Sequence, residues 1–183
     1  MREEHRQLVH VAAGVAVILL VLALGKQAAL IALIAFISAG TLLGTIKMLG
    51  FSLGPLEHLL KQFERKKTIM PFQGAVMLAV GSLFALTFAP TLSFGVATVA
   101  ILAFGDGFAT YFGIKGKTKV HWNPRKTWRG LLAFAIAGGI AAAPFIGLAA
   151  FGYSTVLAFV ESVDIGVDDN LVIPIAAVVV KLI

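Results

Sequence analysis

The stretch GDGFATYFGIKGKTKVHWNPRKTWRG, from Gly105 to Gly130, joins two apolar segments through a connection rich in Lys and Arg. Predominantly apolar residues extend upstream from it to Thr91 and downstream from it to Phe151. A helix of roughly 20 apolar residues is long enough to cross the hydrocarbon core of a bilayer. The stretch therefore predicts two membrane spans that are linked by a basic loop, with one acidic residue, Asp106, inside the first span.

The composition of the whole chain is that of a membrane protein. Hydrophobic residues make up 59% of its 183 residues and charged residues only 13%, whereas soluble domains are about half apolar and about a quarter charged. Only helices or closed barrels satisfy their backbone hydrogen bonds in lipid, and long uninterrupted apolar runs exclude the alternating pattern of a barrel. We expect an all-α, polytopic helical bundle that forms a single integral membrane domain over residues 1–183.

Apolar runs predict about seven transmembrane segments, of which the last two are short. They are Val9–Leu24, Ala28–Ile46, Phe72–Ala89, Thr91–Phe112, Trp128–Phe151, Tyr153–Val163 and Leu171–Ile183. Between the second and third segments, Leu and Phe recur at helical spacing after Pro55, which predicts an amphipathic helix over 52–67 in the membrane interface. This helix is expected to tether the chain to the interface rather than to contact substrate.

Lys and Arg favour the cytoplasmic side of a membrane. A cytoplasmic N-terminus places the connections 47–71, 113–127 and 161–170 on the cytoplasmic side, with every Lys and Arg except Lys26 and Lys181. The net charge of +6 then indicates topology and contact with anionic lipid, not a nucleic-acid partner. The sequence leaves the oligomeric state open.

Asp106 is the first candidate functional residue. Counted from Thr91, it lies about 22 Å along a helix, and a carboxylate at that depth costs several kcal/mol unless it is paired, hydrated or metal-bound. Ionisable residues in spans usually mark sites, so a functional role is favoured over a structural ion pair. Gly105 and Gly107 beside it allow close approach of either another helix or a ligand.

The loop 113–127 is a candidate phosphate site. Four basic side chains alternate and would share one face of an extended segment: Lys115, Lys117, Lys119 and His121. Three more crowd the start of the next span: Arg125, Lys126 and Arg129. Thr127 is a candidate cap for that helix, whose free N–H groups would attract an anion. For about half of these bases, topology or anionic lipid is the alternative role.

The connection 161–170 supplies the acids. It contains Glu161, Asp164, Asp168 and Asp169, followed by Asn170. Mg²⁺ is usually held by one or two carboxylates together with phosphate oxygens, so the candidate metal ligands are Asp106, Glu161, Asp168 and Asp169. Asp169 or Asn170 is expected instead to cap the last helix. At the start of the first span, Arg6 and His10 are one helical turn apart, and on physical grounds alone they would snorkel to the interface.

Four segments resemble, in order, the motifs of one enzyme family. They are EEHRQLVHVAAG (3–14), FQGAVMLAVGSLFAL (72–86), the opening stretch 105–130, and ESVDIGVDDNLVIPIA (161–176). The chain thus resembles the CTP-dependent polyprenol kinases, which comprise dolichol kinase, phytol kinase and yeast-type diacylglycerol kinase. This family is distantly related to the phosphatidate cytidylyltransferases.

The resemblance implies Mg²⁺-dependent transfer of the γ-phosphate of CTP to the hydroxyl of a lipid alcohol of the dolichol, geranylgeraniol or phytol class. The matching positions are Arg6, His10, Asp106, Lys119, Lys126, Thr127, Glu161, Asp169 and Asn170. Phosphates are expected on Lys117, Lys119, Arg125, Lys126 and Thr127, and the base is expected to be Asp106 or His10. The brevity of the chain suggests a prokaryotic cell membrane, with the site facing the cytoplasm.

One residue departs from the family pattern, and two other functions stay open. Arg129 stands where the family has an acid, so any metal or ribose role there is in doubt. A lipid cytidylyltransferase, making a CDP-lipid from CTP and a lipid phosphate, is the first alternative, although the chain lacks that family's C-terminal motifs. A transporter with Asp106 as a proton or ion site is the second.

Overall fold

The computed structural model describes residues 3–57, 70–163 and 165–182, and within these it contains six helices and one β-hairpin. The helices are α1 Glu3–Met48, α2 Gln73–Phe88, α3 Leu92–Gly113, α4 Trp128–Ile146, α5 Ala149–Ser162 and α6 Asp169–Leu182. The hairpin pairs β1, Lys119–Val120, with β2, Asn123–Thr127, in antiparallel fashion. The predicted all-helical bundle is thus confirmed in class, with a small hairpin added between α3 and α4.

Helix α1 holds the first two predicted spans without a loop between them. Gly25 alone breaks its helical geometry, with φ 82° and ψ 169°, a conformation that a residue with a Cβ rarely adopts. A methyl group at Gly14 would lie 2.2 Å from the Cβ of Ala103 in α3, and one at Gly40 would lie 2.8 Å from Val76 in α2. The two halves of α1 therefore pack against different helices.

Among the described residues, three helices are long and apolar enough to cross a membrane: α1, α3 and α4. Helix α2 is apolar but has 16 residues, and α5 and α6 have 14 each. The described residues are consistent with an integral membrane protein but do not support a count of seven spans. Most of the predicted interfacial helix 52–67 and the predicted acid Asp164 lie outside the described residues.

Helix α3 is the centre of the bundle. Of its most apolar 18 residues, 72% are buried, against 22% in α1 and 33% in α4. Its middle turn, Ile101–Asp106, is a π-helix, an irregularity that occurs mostly as single turns and often at functional sites. Asp106 is the last residue of that turn, so a departure from regular helix coincides with the predicted intramembrane acid.

Small residues bring the remaining helices close together. A methyl group at Gly81 of α2 would lie 1.9 Å from the carbonyl oxygen of Asn170, so the start of α6 is in direct backbone contact with α2. At Gly138 of α4 it would lie 2.4 Å from the hydroxyl of Ser154 in α5, which donates a hydrogen bond to the Phe134 carbonyl. Close packing of this kind holds the start of α6 against α2 and holds α5 against α4.

Candidate active site

The hairpin places the basic segment against the end of α5. Its register pairs Lys119 with Thr127 and Val120 with Asn123, and the Val120 side chain is buried. The Asn123 amide donates a 3.0 Å hydrogen bond to the Ser162 carbonyl, and the Trp122 indole donates one of 2.9 Å to the Ser162 hydroxyl. These contacts explain why the segment is structured, and they bring β2 to the acidic connection.

Three carboxylates converge beside the hairpin. Asp106 at the end of the π-turn, Glu161 in the last turn of α5 and Asp169 at the start of α6 each offer an oxygen, and these oxygens lie within 4.8 Å of one another. Glu161 is buried at 3% exposure, while Asp106 and Asp169 are 15% and 35% exposed. Hard divalent cations such as Mg²⁺ prefer oxygen ligands of this kind. We call these three residues the carboxylate cluster.

A lysine occupies the carboxylate cluster. The Lys126 ammonium pairs with Glu161 and, at 3.2 Å, with Asp169 Oδ2. Burial by itself lowers the pKa of Lys126, but the charges of Glu161 and Asp169 outweigh it and leave that pKa raised. Lys126 therefore stays a cation at physiological pH, and its ammonium contacts carboxylates in this structure rather than standing free for a phosphate.

Burial is also the largest influence on the pKa of the two cluster acids that lie outside the three spanning helices, Glu161 and Asp169. It raises the pKa of Glu161 to about 7, because the attraction of Lys126 only partly offsets the loss of water and Asp106 adds negative charge nearby. Burial likewise raises the pKa of Asp169, again with Lys126 opposing the change. Both carboxyls therefore keep their protons to a higher pH than they would in water, which reduces the negative charge that Lys126 has to balance.

The two predicted catalytic residues lie together. His10 Nε2 is 3.5 Å from Asp106 Oδ2 and 3.5 Å from the Leu102 carbonyl oxygen, and the His10 side chain is 13% exposed. This contact crosses from α1 to α3. Arg6, one turn before His10, pairs instead with Glu3 of the same helix. His10 therefore contacts the carboxylate cluster through Asp106, whereas Arg6 forms an ion pair within α1.

A cavity of about 330 Å³ opens beside the cluster, with Glu161 in its wall. Three of the predicted phosphate-binding bases line it: Lys119, Arg125 and Lys126. Thr127 lines it too, and its hydroxyl accepts the Gly130 N–H at 3.1 Å, which confirms the predicted cap of α4. Lys117 is exposed and is not among the described residues that line this cavity.

The cap of α6 differs from the prediction. Asp168 Oδ1 accepts hydrogen bonds from the Asn170 backbone N–H at 3.0 Å and from the Asn170 amide at 2.8 Å, and the Asp168 carbonyl accepts the Val172 N–H. The capping residue is therefore Asp168, and the expectation of Asp169 or Asn170 was wrong. Capping leaves Asp169 free for the cluster, while a metal role for Asp168 stays a prediction.

Gly105 and Gly107 serve helix packing, one of their two predicted uses. A methyl group at Gly105 would lie 2.8 Å from the ring of Phe134 in α4, and one at Gly107 would lie 2.6 Å from Val11 in α1. Close packing at both glycines holds α1 and α4 on either side of Asp106. This packing positions His10 and the start of α4 relative to the acid.

Sequence reasoning missed the residues that dock the hairpin. These residues are Trp122, Asn123 and Ser162, and the charge pattern and motifs of the sequence single out none of them. The Trp122 ring also meets the Trp128 ring edge-on at 5.5 Å and lies 6.2 Å from the ring of Phe159. Two tryptophans six positions apart in an otherwise basic segment were the available signal, since large aromatic rings in a polar loop usually have an apolar partner.

Comparison of the sequence with known proteins shows which family the chain belongs to. No protein-family model matches the sequence, and no solved structure is significantly similar to it. An uncharacterised protein of the archaeon Methanocaldococcus jannaschii is 31% identical over 176 residues, which are 95% of this chain and 90% of that protein. The chain belongs to the family of this archaeal protein.

Plant phytol kinases are more distant relatives of the same chain. Phytol kinase 1 of Arabidopsis thaliana is 30% identical over 150 residues, which are 70% of this chain but 49% of that enzyme. Probable phytol kinase 2 of rice is 28% identical over 196 residues, covering 96% of this chain and 64% of that enzyme. The chain thus spans about half to two thirds of the length of each enzyme, and at this identity the matches support a prenyl-alcohol kinase family at most.

Proposed function

We propose that this protein is a membrane lipid kinase that transfers the γ-phosphate of CTP to the hydroxyl of a prenyl-type lipid alcohol. The observation that carries the proposal is that two features adjoin: a cavity lined by Lys119 and Arg125, and beside it the carboxylate cluster, of which Glu161 lies in the cavity wall. Phosphoryl transfer depends on positioning and charge neutralisation, which is what such an arrangement supplies. The phytol kinase relatives support a prenyl-alcohol kinase family, whereas CTP as the donor rests on the motif resemblance.

The nucleotide phosphates would lie in the cavity. Lys119 and Arg125 offer positive charge there, and the N-terminus of α4 begins at its wall, capped by Thr127. Free N–H groups at a helix N-terminus favour an anion, and Arg binds phosphate oxygens in pairs. The size of the cavity, about 330 Å³, is at the lower end of the range for small-molecule sites.

The carboxylate cluster fits a divalent cation by its chemistry. Its donors are all carboxylate oxygens, from Asp106, Glu161 and Asp169, and the Lys126 ammonium among them marks the place as one that attracts a cation. When bound there, Mg²⁺ would neutralise charge on the phosphates. The residues that would hold it come from three different helices, so their arrangement depends on the packing of the whole bundle.

Proton transfer is assigned to the pair His10 and Asp106. In the reaction a bond forms between the alcohol oxygen and the γ-phosphorus, the bond from that phosphorus to the β–γ bridging oxygen breaks, and CDP leaves. The hydroxyl proton passes to one member of the pair, whose nitrogen and oxygen are 3.5 Å apart. The lipid alcohol would lie between helices with its hydroxyl at the membrane interface.

The placement of charge supports a site on the cytoplasmic side. The Glu4 carboxylate of α1 lies 3.7 Å from the Lys115 ammonium of the segment before β1, and β2 contacts the start of α6 through Lys126 and Asp169. The N-terminus, the basic segment and the acidic connection therefore lie at one end of the bundle. The abundance of Lys and Arg at that end favours the cytoplasm, in the cell membrane of a prokaryote.

The function is tested with purified protein in detergent, Mg²⁺, γ-labelled CTP and a panel of four lipid alcohols, geranylgeraniol, phytol, dolichol and diacylglycerol, with phosphatidate included as a lipid-phosphate acceptor. We expect label in the lipid, and we expect Asp106→Asn to lower the rate by about a hundredfold or more, since that variant removes both a cluster ligand and the partner of His10. Glu57→Gln is the matched control, because Glu57 pairs with Lys47 outside the site.

The outcomes separate the alternatives. Full activity in Asp106→Asn would contradict the site. Label that appears only in pyrophosphate would identify a cytidylyltransferase. A folded protein that transfers label to neither product would contradict the enzyme assignment and leave a transporter.

A further inference from the structure

Lys126 lies between the two parts of the candidate active site, the carboxylate cluster and the cavity. Its ammonium contacts Glu161 and Asp169 of the carboxylate cluster, yet the same side chain lines the cavity and is 30% exposed. Its backbone is held in β2, where the neighbouring Thr127 pairs with Lys119 and caps α4. A change of side-chain rotamer alone can therefore carry the ammonium from the carboxylates toward the cavity.

The carboxylate cluster can hold one cation at a time. The three carboxylate oxygens lie within 4.8 Å of one another, and the Lys126 ammonium already lies 3.2 Å from Asp169 Oδ2 among them. Mg²⁺ keeps its oxygen ligands at about 2.0–2.1 Å, so it would compete with the ammonium for the same carboxylates. An ammonium and a divalent cation would also repel each other at this distance. One must leave before the other is held.

We propose that Lys126 is the built-in counter-cation of the metal-free cluster, that it is released when a divalent cation binds there, and that it then binds the nucleotide phosphates in the adjacent cavity. This inference rests on the proposed function, because it takes its metal and its phosphates from that site. Lys126 then has two successive partners, the carboxylates and the phosphates. It acts as a positioning residue that couples the entry of the metal to the binding of the nucleotide.

The coupling has a direct consequence for binding. Without metal, the ammonium is engaged by Glu161 and Asp169 and gives little attraction to a phosphate, so nucleotide alone would bind weakly. With metal, the same charge becomes available on the cavity side. Metal and nucleotide should therefore each strengthen the binding of the other by the same factor, as linkage requires.

The test measures the reactivity of the Lys126 amine in the wild-type protein. The protein in an amine-free detergent buffer is treated briefly with sulfo-NHS-acetate, and acetylation at each lysine is measured by peptide mass spectrometry. We expect Lys126 to be protected without metal, to react at least about tenfold faster with MgCl₂ alone, and to be protected again with MgCl₂ plus CTP, since each protected state holds it in a charged hydrogen bond. Lys119, exposed in the same cavity, is the internal control and should change little with MgCl₂ alone.

The possible results test this inference independently of the proposed function. Any of three results would overturn the inference: high Lys126 reactivity without metal, no change in that reactivity on adding MgCl₂, or reactivity that stays high with MgCl₂ plus CTP. In Asp106→Asn the response to MgCl₂ should be lost, and a wild-type response there would contradict release from the cluster. If label reaches the lipid but Lys126 reactivity is the same in all three conditions, only the release of Lys126 is refuted. If Lys126 is protected without metal, reactive with MgCl₂ and protected again with MgCl₂ plus CTP, but no label reaches the lipid, only the kinase activity is refuted.

Discussion

A carboxylate inside a membrane-spanning helix needs partners that compensate for lost water, and Asp106 has two of them. His10 of α1 lies 3.5 Å from one of its oxygens, and within the carboxylate cluster the Lys126 ammonium brings positive charge near it. The π-turn that ends at Asp106 marks the same point on α3. A single residue thus connects the proton-transfer pair to the candidate metal site.

Arg129, unlike Asp106, is a charged residue whose described contact lies outside the carboxylate cluster and the cavity. Its guanidinium lies 5.6 Å above the ring of Phe112, it is exposed, and it is not among the described residues that line the cavity. A cation over an exposed ring is worth about 0.5–1 kcal/mol. This basic residue, at a position where the family that the chain resembles has an acid, therefore contacts the surface of α3.

Glu161 gives the metal-free protein a stability that depends on pH. Its folded-state pKa of about 7 lies above its usual value of 4.5, so the folded state holds this proton more tightly than the unfolded state does. The corresponding stabilisation is complete below about pH 4.5 and is lost as the pH rises through 7, a change of about 3 kcal/mol in the free energy of unfolding. The raised pKa of Asp169 acts in the same sense.

We therefore expect the thermal midpoint of the protein in detergent with EDTA to fall between pH 5 and pH 8. Glu161→Gln is the matched variant, because its amide resembles the protonated carboxyl and cannot titrate. Its midpoint should fall much less over the same range. An equal fall in both proteins would assign the pH dependence to other groups.

At the scale of elements, the hairpin is the part that depends most on tertiary contacts. A strand of two residues has little stability of its own, and the described contacts that dock it involve Trp122 and Asn123 on one side and Ser162 on the other. Docking of the hairpin on Ser162 places Lys119, Arg125 and Lys126 in the cavity wall. The affinity for nucleotide should therefore depend on a residue that never touches it.

Asn123→Ala tests this dependence. The variant leaves the buried Ser162 carbonyl without its 3.0 Å partner, at a cost of about 1–3 kcal/mol, and loosens the hairpin. We expect faster amide hydrogen exchange over 119–127 and a higher KM for CTP. Thr118→Ala removes an exposed polar side chain at the base of the same hairpin and serves as the control. An unchanged KM despite faster exchange would show that docking does not position the phosphate-binding bases.

The sequence allowed the acids to be predicted, because a carboxylate among apolar residues is conspicuous, and Asp106, Glu161 and Asp169 do meet. It did not reveal the partner of Lys126. A lysine in a basic loop suits a phosphate and a carboxylate equally well, and Glu161 and Asp169 are 35 and 43 positions away along the chain. The hairpin was also missed, since Val120 is the one buried apolar residue in its two strands and leaves no repeating hydrophobic pattern to detect.

At the scale of the whole molecule, the chain gathers its polar segments at one end of an apolar bundle. Helix α4 starts at Trp128 beside the hairpin and has 19 residues, so it reaches about 28 Å to its other end. There the chain turns at Gly147, whose φ is 64°, and Leu148 is 86% exposed. If α4 spans the bilayer, Leu148 lies on the side opposite the candidate active site.

The absence of cysteine from the sequence makes this arrangement directly testable. Single-cysteine variants Thr118→Cys and Val167→Cys probe the hairpin and the acidic connection, and Leu148→Cys probes the far turn, all at exposed positions. We expect a membrane-impermeant maleimide to label the first two in inside-out vesicles of the expression host's membrane and the third in right-side-out vesicles, because the basic end should face the cytoplasm. Labelling of all three from one side would contradict a spanning α4. The reverse pattern would keep the bundle but place the site on the outer face, where CTP from the cytoplasm could not reach it.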